Sequence, residues 1–405
     1  MLPVVKIPDF VRESSKQYQP VFSHHQQKHF QRYLTGLMTD SNVTVTNMSE
    51  RFNEPVSQRS LNRFLTEYDW DPQQLNEQRL MMLQTDPQMQ WHSKGVIIID
   101  DSLLEKTGKL IPGAGKFYDH NTSSYVHAQN IVTSHYADWQ KHYPLHFRQY
   151  YKEDSKEAQK HGFKTKIQLA MELVDDAETL KNPAETYVLD AWFLCRELAD
   201  HIESHSKNWV MAAKSSLLMW DKTQWISLAE YAKKVPKGIH HKVYAGGNSF
   251  YVHTRTVKLQ SLDRKVKLAV SYDNPQLEGE PKFIVSNVTR WDANHIVRLY
   301  YLRHLVETFY RDAKQHLGLE GCQLRKLKGV HRHITLVFTA YSILKQGAVG
   351  SGLSRWLKTK IQTIGDGCRY VINQVVEALI MLVYRLALQQ QNMTQILQTI
   401  TQQPI

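Results

Sequence analysis

The chain has 405 residues, 42% of them hydrophobic and 10% aromatic, which suggests two or three domains and excludes a wholly disordered polypeptide. Fifty Lys and Arg against 39 Asp and Glu leave a formal charge of +11, pointing to a polyanionic partner, most simply nucleic acid. Three cysteines (Cys195, Cys322, Cys368) with no C-x-x-C pair exclude a disulfide framework and suit a reducing cytoplasm.

Residues 1–90 read as helical and polar, and Met1 to Lys16 lacks the apolar run of a signal peptide. Thr46 to Phe52 reads as a short helix, Asn53-Glu54-Pro55 as a turn, and Ser57 to Glu67 as a second helix. Ser57 suits the N-cap, and Leu61, Phe64 and Leu65 give this helix an apolar face. Gln58, Arg59, Asn62 and Arg63 occupy its other sides, residue types that reach phosphates and base edges in a helix-turn-helix. The alternative is an ordinary helical hairpin.

Near residue 95 the character changes. Gly95-Val-Ile-Ile-Ile-Asp100 is a continuous apolar run closed by an acid, the pattern of a strand buried on both faces. Strands are expected over Val126–His135, Tyr187–Asp190 and Trp209–Ala213, with a helix over Trp192–Glu203, which together predict an α/β core. Trp192, Trp209, Trp220 and Trp291 are core candidates, and Trp291 could also stack on an unpaired base.

Residues 225–287 read as a β-rich insertion, with strands near His253–Leu259 and Val266–Tyr272 and turns at Gly246-Gly247 and Asp273-Asn274-Pro275. One long helix is predicted from about Ala293 to Leu317, with Asp292 as N-cap and Gly318 as its stop. Helices fill the remainder, with a hinge at Gly347–Gly352 and a Gln-rich tail from Gln389. Val375 to Leu388 is apolar but carries Glu377 and Arg385, and reads as a buried helix too short and charged to span a bilayer. The expected organisation is a helical DNA-binding region (1–90), a core in two parts (91–224 and 288–350) split by the insertion (225–287), and a helical segment (351–405).

Three acids fall at informative places. Asp100 and Asp190 close core strands, and Glu307 lies in the long helix. A buried carboxylate needs a partner, and hard divalent cations take oxygen ligands. Three such acids can hold two Mg²⁺ ions about 3.5–4 Å apart, suited to in-line phosphoryl displacement. Each acid alone also has a structural explanation: Asp190 can cap a helix and Asp101 a turn. At about 100° per residue, Tyr300, Arg303, Glu307 and Lys314 share one narrow stripe, opposite Leu302, Val306, Phe309 and Ala313. A solvated face with an Arg303–Glu307 pair would give the same stripe.

With these residues in view, the sequence resembles a known family. Tyr300-x2-Arg303-x3-Glu307-x6-Lys314 resembles, at every spacing, the Y-R-E-K signature of insertion-sequence DDE transposases. Ile99-Asp-Asp-Ser-Leu-Leu-Glu-Lys resembles the stretch around that family's first catalytic Asp, Val188-Leu-Asp-Ala-Trp-Phe the second, and Trp209-Val-Met-Ala-Ala-Lys214 the strand that often follows. The similarity covers roughly residues 30 to 345. It departs at Ser102, where Thr is commoner.

The resemblance implies a ribonuclease H-like α/β fold, a mixed-sheet core carrying Asp100, Asp190 and Glu307, interrupted by a β-rich insertion and flanked by helical N- and C-terminal segments. It implies two Mg²⁺ ions on those acids, replaceable by Mn²⁺, and leaves Asp100 or Asp101 as the first ligand. Arg303 and Lys314 would hold phosphates, Tyr300 would position the strand, and Arg59 and Arg63 would contact DNA. The expected partners are double-stranded DNA, as terminal inverted repeats and target, and a second copy of the chain, with no membrane, in a cytoplasmic, nucleoid-associated protein. Alternatives are a ribonuclease H-like nuclease without strand transfer and a non-catalytic DNA-binding derivative.

Other motifs are weaker. Gly113-Ala-Gly-Lys116 lacks P-loop spacing and reads as a basic loop. His331-Arg-His333, like the twenty histidines overall, shows no paired metal-ligand spacing. Arg325, Lys326, Lys328 and Arg332 form a basic cluster able to grip a nucleic-acid backbone.

Overall fold

Val96-Ile97-Ile98-Ile99 offers no polar face to water, and in the computed structural model it lies fully buried in a sheet with a neighbouring strand on either side. The structure describes residues 2–40, 42–54, 56–120, 122–349 and 361–401. The chain opens with helices α1 (Asp9–Ser15), α2 (His24–Thr39), α3 (Val45–Ser49), α4 (Gln58–Thr66) and α5 (Pro72–Thr85). Strands β1 (Val96–Glu105), β2 (Gly115–Asp119), β3 (Ser124–Ala137) and β4 (His142–Tyr150) follow, then α6 (Lys156–His161), α7 (Lys166–Thr179), β5 (Thr186–Leu189), α8 (Arg196–Ser204) and β6 (Asn208–Ala213). Next come β7 (Leu218–Asp221), β8 (Gln224–Ser227), α9 (Leu228–Lys234), β9 (His241–Ala245), β10 (Asn248–Leu259), β11 (Arg264–Tyr272) and β12 (Lys282–Ser286). Helices α10 (Ala293–Tyr301), α11 (His304–Leu317), α12 (Leu327–Val349), α13 (Ile364–Leu388) and α14 (Met393–Thr401) complete the order.

The sheet is mixed and twelve-stranded, in the order β2-β3-β1-β5-β6-β12-β11-β10-β7-β8, with β4 on β3 and β9 on β10. β1, β5 and β6 run parallel, and the strands from β7 to β12 pair antiparallel. This is the mixed α/β architecture, with helical segments at both ends, that a ribonuclease H-like fold requires.

The chain divides into two compact units: Met1–Gln90, Leu103–Gln129 and Phe309–Ile405 form the first, Trp91–Ser102 and Asn130–Thr308 the second. The first is mostly helical. Ser57 caps α4 by accepting from the Ser60 N–H at 3.1 Å, and Leu61, Phe64 and Leu65 are buried, with Phe64 stacked on Trp70. In the second unit, β10 and β11 pair over nine consecutive residues and β12 returns along β6.

Several expectations are corrected. The predicted helix over 293–317 is two helices, broken at Leu302-Arg303. There the amides of Leu302, Arg303, Leu305 and Val306 bond three residues back instead of four, a local 3₁₀ tightening without Pro or Gly. Asp100 does not close its strand: β1 continues to Glu105, and only its pairing with β5 ends at Ile99. The helix after Asp190 begins at Arg196, because the Asp190 carboxylate accepts from the Trp192 N–H at 2.8 Å and holds an intervening turn. Trp192 and Trp220 are exposed at 46% and 41%, whereas Trp209 is fully buried.

The stretch 375–388 is not a buried helix. Within α13, Val375 and Leu386 are buried, but Ile380, Met381, Tyr384 and Leu388 are mostly exposed, since α2 and α12 cover one side of it. By length and composition alone this helix is apolar enough to cross a bilayer. The first half of the expected hinge, Gly347 to Val349, is the end of α12, and residues 350–352 lie outside the described residues.

Candidate active site

The site is assembled by strand register. β1 and β5 run parallel with Ile99 opposite Leu189 as the last paired residues, so Asp100 and Asp190 follow just beyond the register, near enough for the charge of Asp190 to act on Asp100. Burial of the apolar run before each acid fixes this placement: Ile97 to Ile99 and Tyr187 to Leu189 are fully buried.

The break between α10 and α11 supplies the third acid. Leu302, Val306 and Phe309 anchor this segment in the core, which turns Arg303 and Glu307 the other way. The Arg303 guanidinium donates to Asp100 Oδ2 at 2.8 Å and, through its other amino group, to Glu307 Oε1. One cation therefore bridges two acids that lie 207 positions apart in sequence, and Asp190 contributes to the same field.

Asp100 is 8% exposed. Burial pushes its carboxyl up to about 7; Arg303 opposes this, while the charges of Asp190 and Asp101 add to it. Burial likewise raises the Tyr300 phenol, opposed by Arg303 and reinforced by Asp190 and Asp100. Tyr300, Arg303, Asp100 and Asp190 thus share one electrostatic environment, with Glu307 tied in by Arg303.

Asp101 points elsewhere. Its Oδ2 accepts from Lys166 at 2.7 Å and from Asn130 at 2.8 Å, and the Lys166 ammonium also sits over the Trp192 ring at 5.1 Å. Sequence reasoning missed Lys166 and Asn130, and no local pattern marks either, because only the fold brings them to Asp101. It also missed Tyr301, which stacks on Trp139 and lies so close to Gly246 that a Cβ there would fall about 2.1 Å from its ring. Gly246 has φ +56°, so the insertion's turn needs glycine on both grounds.

A groove of about 770 Å³ opens beside these residues, lined by Tyr300, Arg303 and Glu307 and, from the insertion side, by Ser271, Lys282 and Phe283. It is wide and largely apolar, with Lys282 and Arg303 set against Glu280 and Glu307.

The other expected site residues are placed apart. The Lys314 ammonium donates to the Leu103 carbonyl at 2.6 Å and pairs with Glu320 at 2.9 Å. Arg59 and Arg63 are exposed on α4, with Arg63 paired to Glu67 at 2.9 Å. Arg332, expected to grip a backbone, is fully buried and donates to the Phe64, Leu65, Tyr68 and Trp70 carbonyls. It holds the end of α4 and has no capacity left for a phosphate. His333 is also buried, between the Tyr33 hydroxyl and the Gly318 carbonyl. The histidines do contain a paired spacing after all: His201 and His205 stand four apart, and Asp175 joins them.

The donor set at Asp100, Asp190 and Glu307 suits a divalent cation by its chemistry, although here Arg303 stands between Asp100 and Glu307 and the three carboxylates do not close to within 4.8 Å of one another. All its donors are carboxylate oxygens, the choice of hard ions. Asp100 is also held up by like charges, so the cluster is short of positive charge and Arg303 only partly supplies it. No curated protein matches the chain. The profile described as DDE superfamily endonuclease matches residues 17–257, more than half of the length, spanning Asp100 and Asp190 and ending before Glu307. Endonucleases of this superfamily generally use divalent metals, which agrees with an all-carboxylate cluster. The chain belongs to the DDE superfamily endonuclease family.

Proposed function

We propose that this protein is a DNA transposase of the insertion-sequence type, with Asp100, Asp190 and Glu307 as its metal-binding catalytic triad. The observation that carries the reading is the Arg303 guanidinium lying between Asp100 and Glu307, with Asp190 near enough for its charge to act on both Asp100 and Arg303. A point where carboxylates from three elements need one cation is where two Mg²⁺, or Mn²⁺, would be held. Bound there, the ions supply Lewis-acid activation of the attacking oxygen and neutralise charge on the phosphate being cut.

The chain's own residues have distinct tasks. Asp100, rather than Asp101, would serve as the ligand, since Asp100 shares Arg303 with Glu307 whereas Asp101 is turned to Lys166 and Asn130. Once the ions neutralise the carboxylates, Arg303 is available to a phosphate oxygen, for which its planar fork is suited. Tyr300 stands beside Arg303 to position the strand. Lys314 completes the Y-R-E-K signature, holding phosphate further along α11. The surrounding groove would take the DNA strand at the element's end. The freed 3′-hydroxyl would then attack target DNA at the same carboxylates. Arg59 and Arg63 on α4 would contact the terminal inverted repeat. Joining two ends calls for two protomers, in a cytoplasmic, nucleoid-associated setting.

The test is Mg²⁺-dependent cleavage of DNA carrying the flanking inverted repeat. Glu307→Gln should lower the rate at least ~10³-fold, on the order of 4 kcal/mol of barrier, without altering the fold. Undiminished cleavage would remove Glu307 from the site. Supplying a precut end separates transposase from simple nuclease, because only the former yields a joined product.

A further inference from the structure

A second group of side chains aims its donor atoms at one point, away from the carboxylate cluster. His201 lies in the last turn of α8 and His205 is the residue that caps it, so the two imidazoles share one face. Their rings stand 5.2 Å apart, nearly perpendicular. Asp175, on α7, directs Oδ1 between them, 2.9 Å from the Nε2 of each. All three donor atoms lie within 4.8 Å of one another.

We propose that Asp175, His201 and His205 form a binding site for a borderline divalent ion, Zn²⁺ in chemical class, that clips α7 to α8. Two neutral imidazoles and one carboxylate are a zinc-type donor set and a poor one for Mg²⁺, which prefers oxygen. Metal–ligand bonds of about 2.0–2.1 Å put tetrahedral donors roughly 3.3 Å apart, so the carboxylate would retreat by a few tenths of an ångström and the two imidazole nitrogens, now within 4.8 Å, would settle to the same spacing. The imidazoles are partly exposed and Asp175 half exposed, which leaves the fourth position to water.

The charge balance favours an ion over a plain salt bridge. Among the described residues no Lys or Arg pairs with Asp175. Arg148, which serves the same helix, is taken by Glu172 and Asp176. Among the described residues the Asp175 carboxylate is therefore met only by the two imidazoles. The location gives the site a consequence. α7 starts at Lys166's pairing with Asp101, and α8 begins just after the Asp190 turn. An ion between them would brace the two helices that flank β5 and Asp190, one of them tied to Asp101 through Lys166.

The experiment uses the full chain carrying Asp190→Asn, so that the carboxylate cluster does not compete, titrated with Co²⁺ and then displaced by Zn²⁺. The expected result is one equivalent of Co²⁺ with the intense visible bands of a four-coordinate ion, bleached by Zn²⁺. His201→Gln, His205→Gln or Asp175→Asn should each weaken binding at least about tenfold, the lower end of what even an outer-sphere change costs. No binding, a six-coordinate spectrum or binding indifferent to these substitutions would overturn the proposal. If a variant fails to fold, imidazole NMR of the unsubstituted chain decides instead: Zn²⁺ must shift the His201 and His205 resonances together, and any other pattern refutes the site. Because the readout is binding, its failure leaves the transposase reading untouched.

Discussion

Two arginines, one in each unit, show how the same side chain can be structural in one place and exchangeable in another. Arg332 is buried and spends its guanidinium on the carbonyls of Phe64, Leu65, Tyr68 and Trp70 while lying 4.2 Å over the Trp70 ring. Those acceptors are fixed backbone at and just after the end of α4, where only the Phe64 carbonyl has a second side-chain donor, the Trp70 indole. Arg303 instead spends its guanidinium on Asp100 and Glu307. Carboxylates can trade an arginine for a metal ion or a proton, whereas backbone carbonyls can do neither. A basic residue near a site is therefore best judged by what it neutralises, not by its position in a charge run.

The largest expected effect lies on the structural side. Arg332→Met should destabilise the protein by about 3–5 kcal/mol, since the Leu65, Tyr68 and Trp70 carbonyls lose this donor and Phe64 keeps only the Trp70 indole; a urea-unfolding shift worth under about 1 kcal/mol would erase the contrast. A smaller effect of opposite sign is expected at the exchangeable site. The folded pKa of Asp100, about 7, stands above the ordinary 3.8, so the folded protein holds a proton that the unfolded chain has released. Stability from this group is therefore full below about pH 4 and declines as pH rises towards 7. Asp100→Asn removes that decline, and in metal-free buffer at about pH 8 it should gain about 1–3 kcal/mol, with no gain at about pH 4. A loss of stability at high pH would show that Arg303 more than repays the burial.

The smallest effect sharpens the comparison most. Arg303→Met should change metal-free stability by no more than about 1 kcal/mol near pH 6, because Asp100 already holds its proton there. The cost should grow as pH rises and Asp100 must ionise unpaired. A pH-independent loss as large as that of Arg332→Met would make both arginines structural.

Much of this was legible where local physics decides. The run Val96–Ile99 could only be a buried strand, Ser57 and Asp292 cap helices as their chemistry suggests, and Gly318 adopts φ +61° where α11 stops. The periodicity of Leu302, Val306, Phe309 and Ala313 found the buried face of the glutamate helix. What escaped depends on partners distant in sequence. No Pro or Gly marks the break at Leu302-Arg303. Lys166 meets Asp101 only through the fold. Arg332 sits in a basic run yet is consumed by carbonyls some 260 residues earlier. Trp192 and Trp220 were assigned to the core on size alone, and their surroundings leave them open to solvent.

The central claim is that Asp100, Asp190 and Glu307 hold divalent ions together. Calorimetric titration of the metal-free chain with Mn²⁺ tests it most directly, comparing the unsubstituted protein with Asp190→Asn and Glu307→Gln. The account predicts saturable binding that strengthens as pH rises through about 7, with the release of the Asp100 proton, and that is lost or weakened in both variants. Binding of equal strength in all three proteins would contradict it.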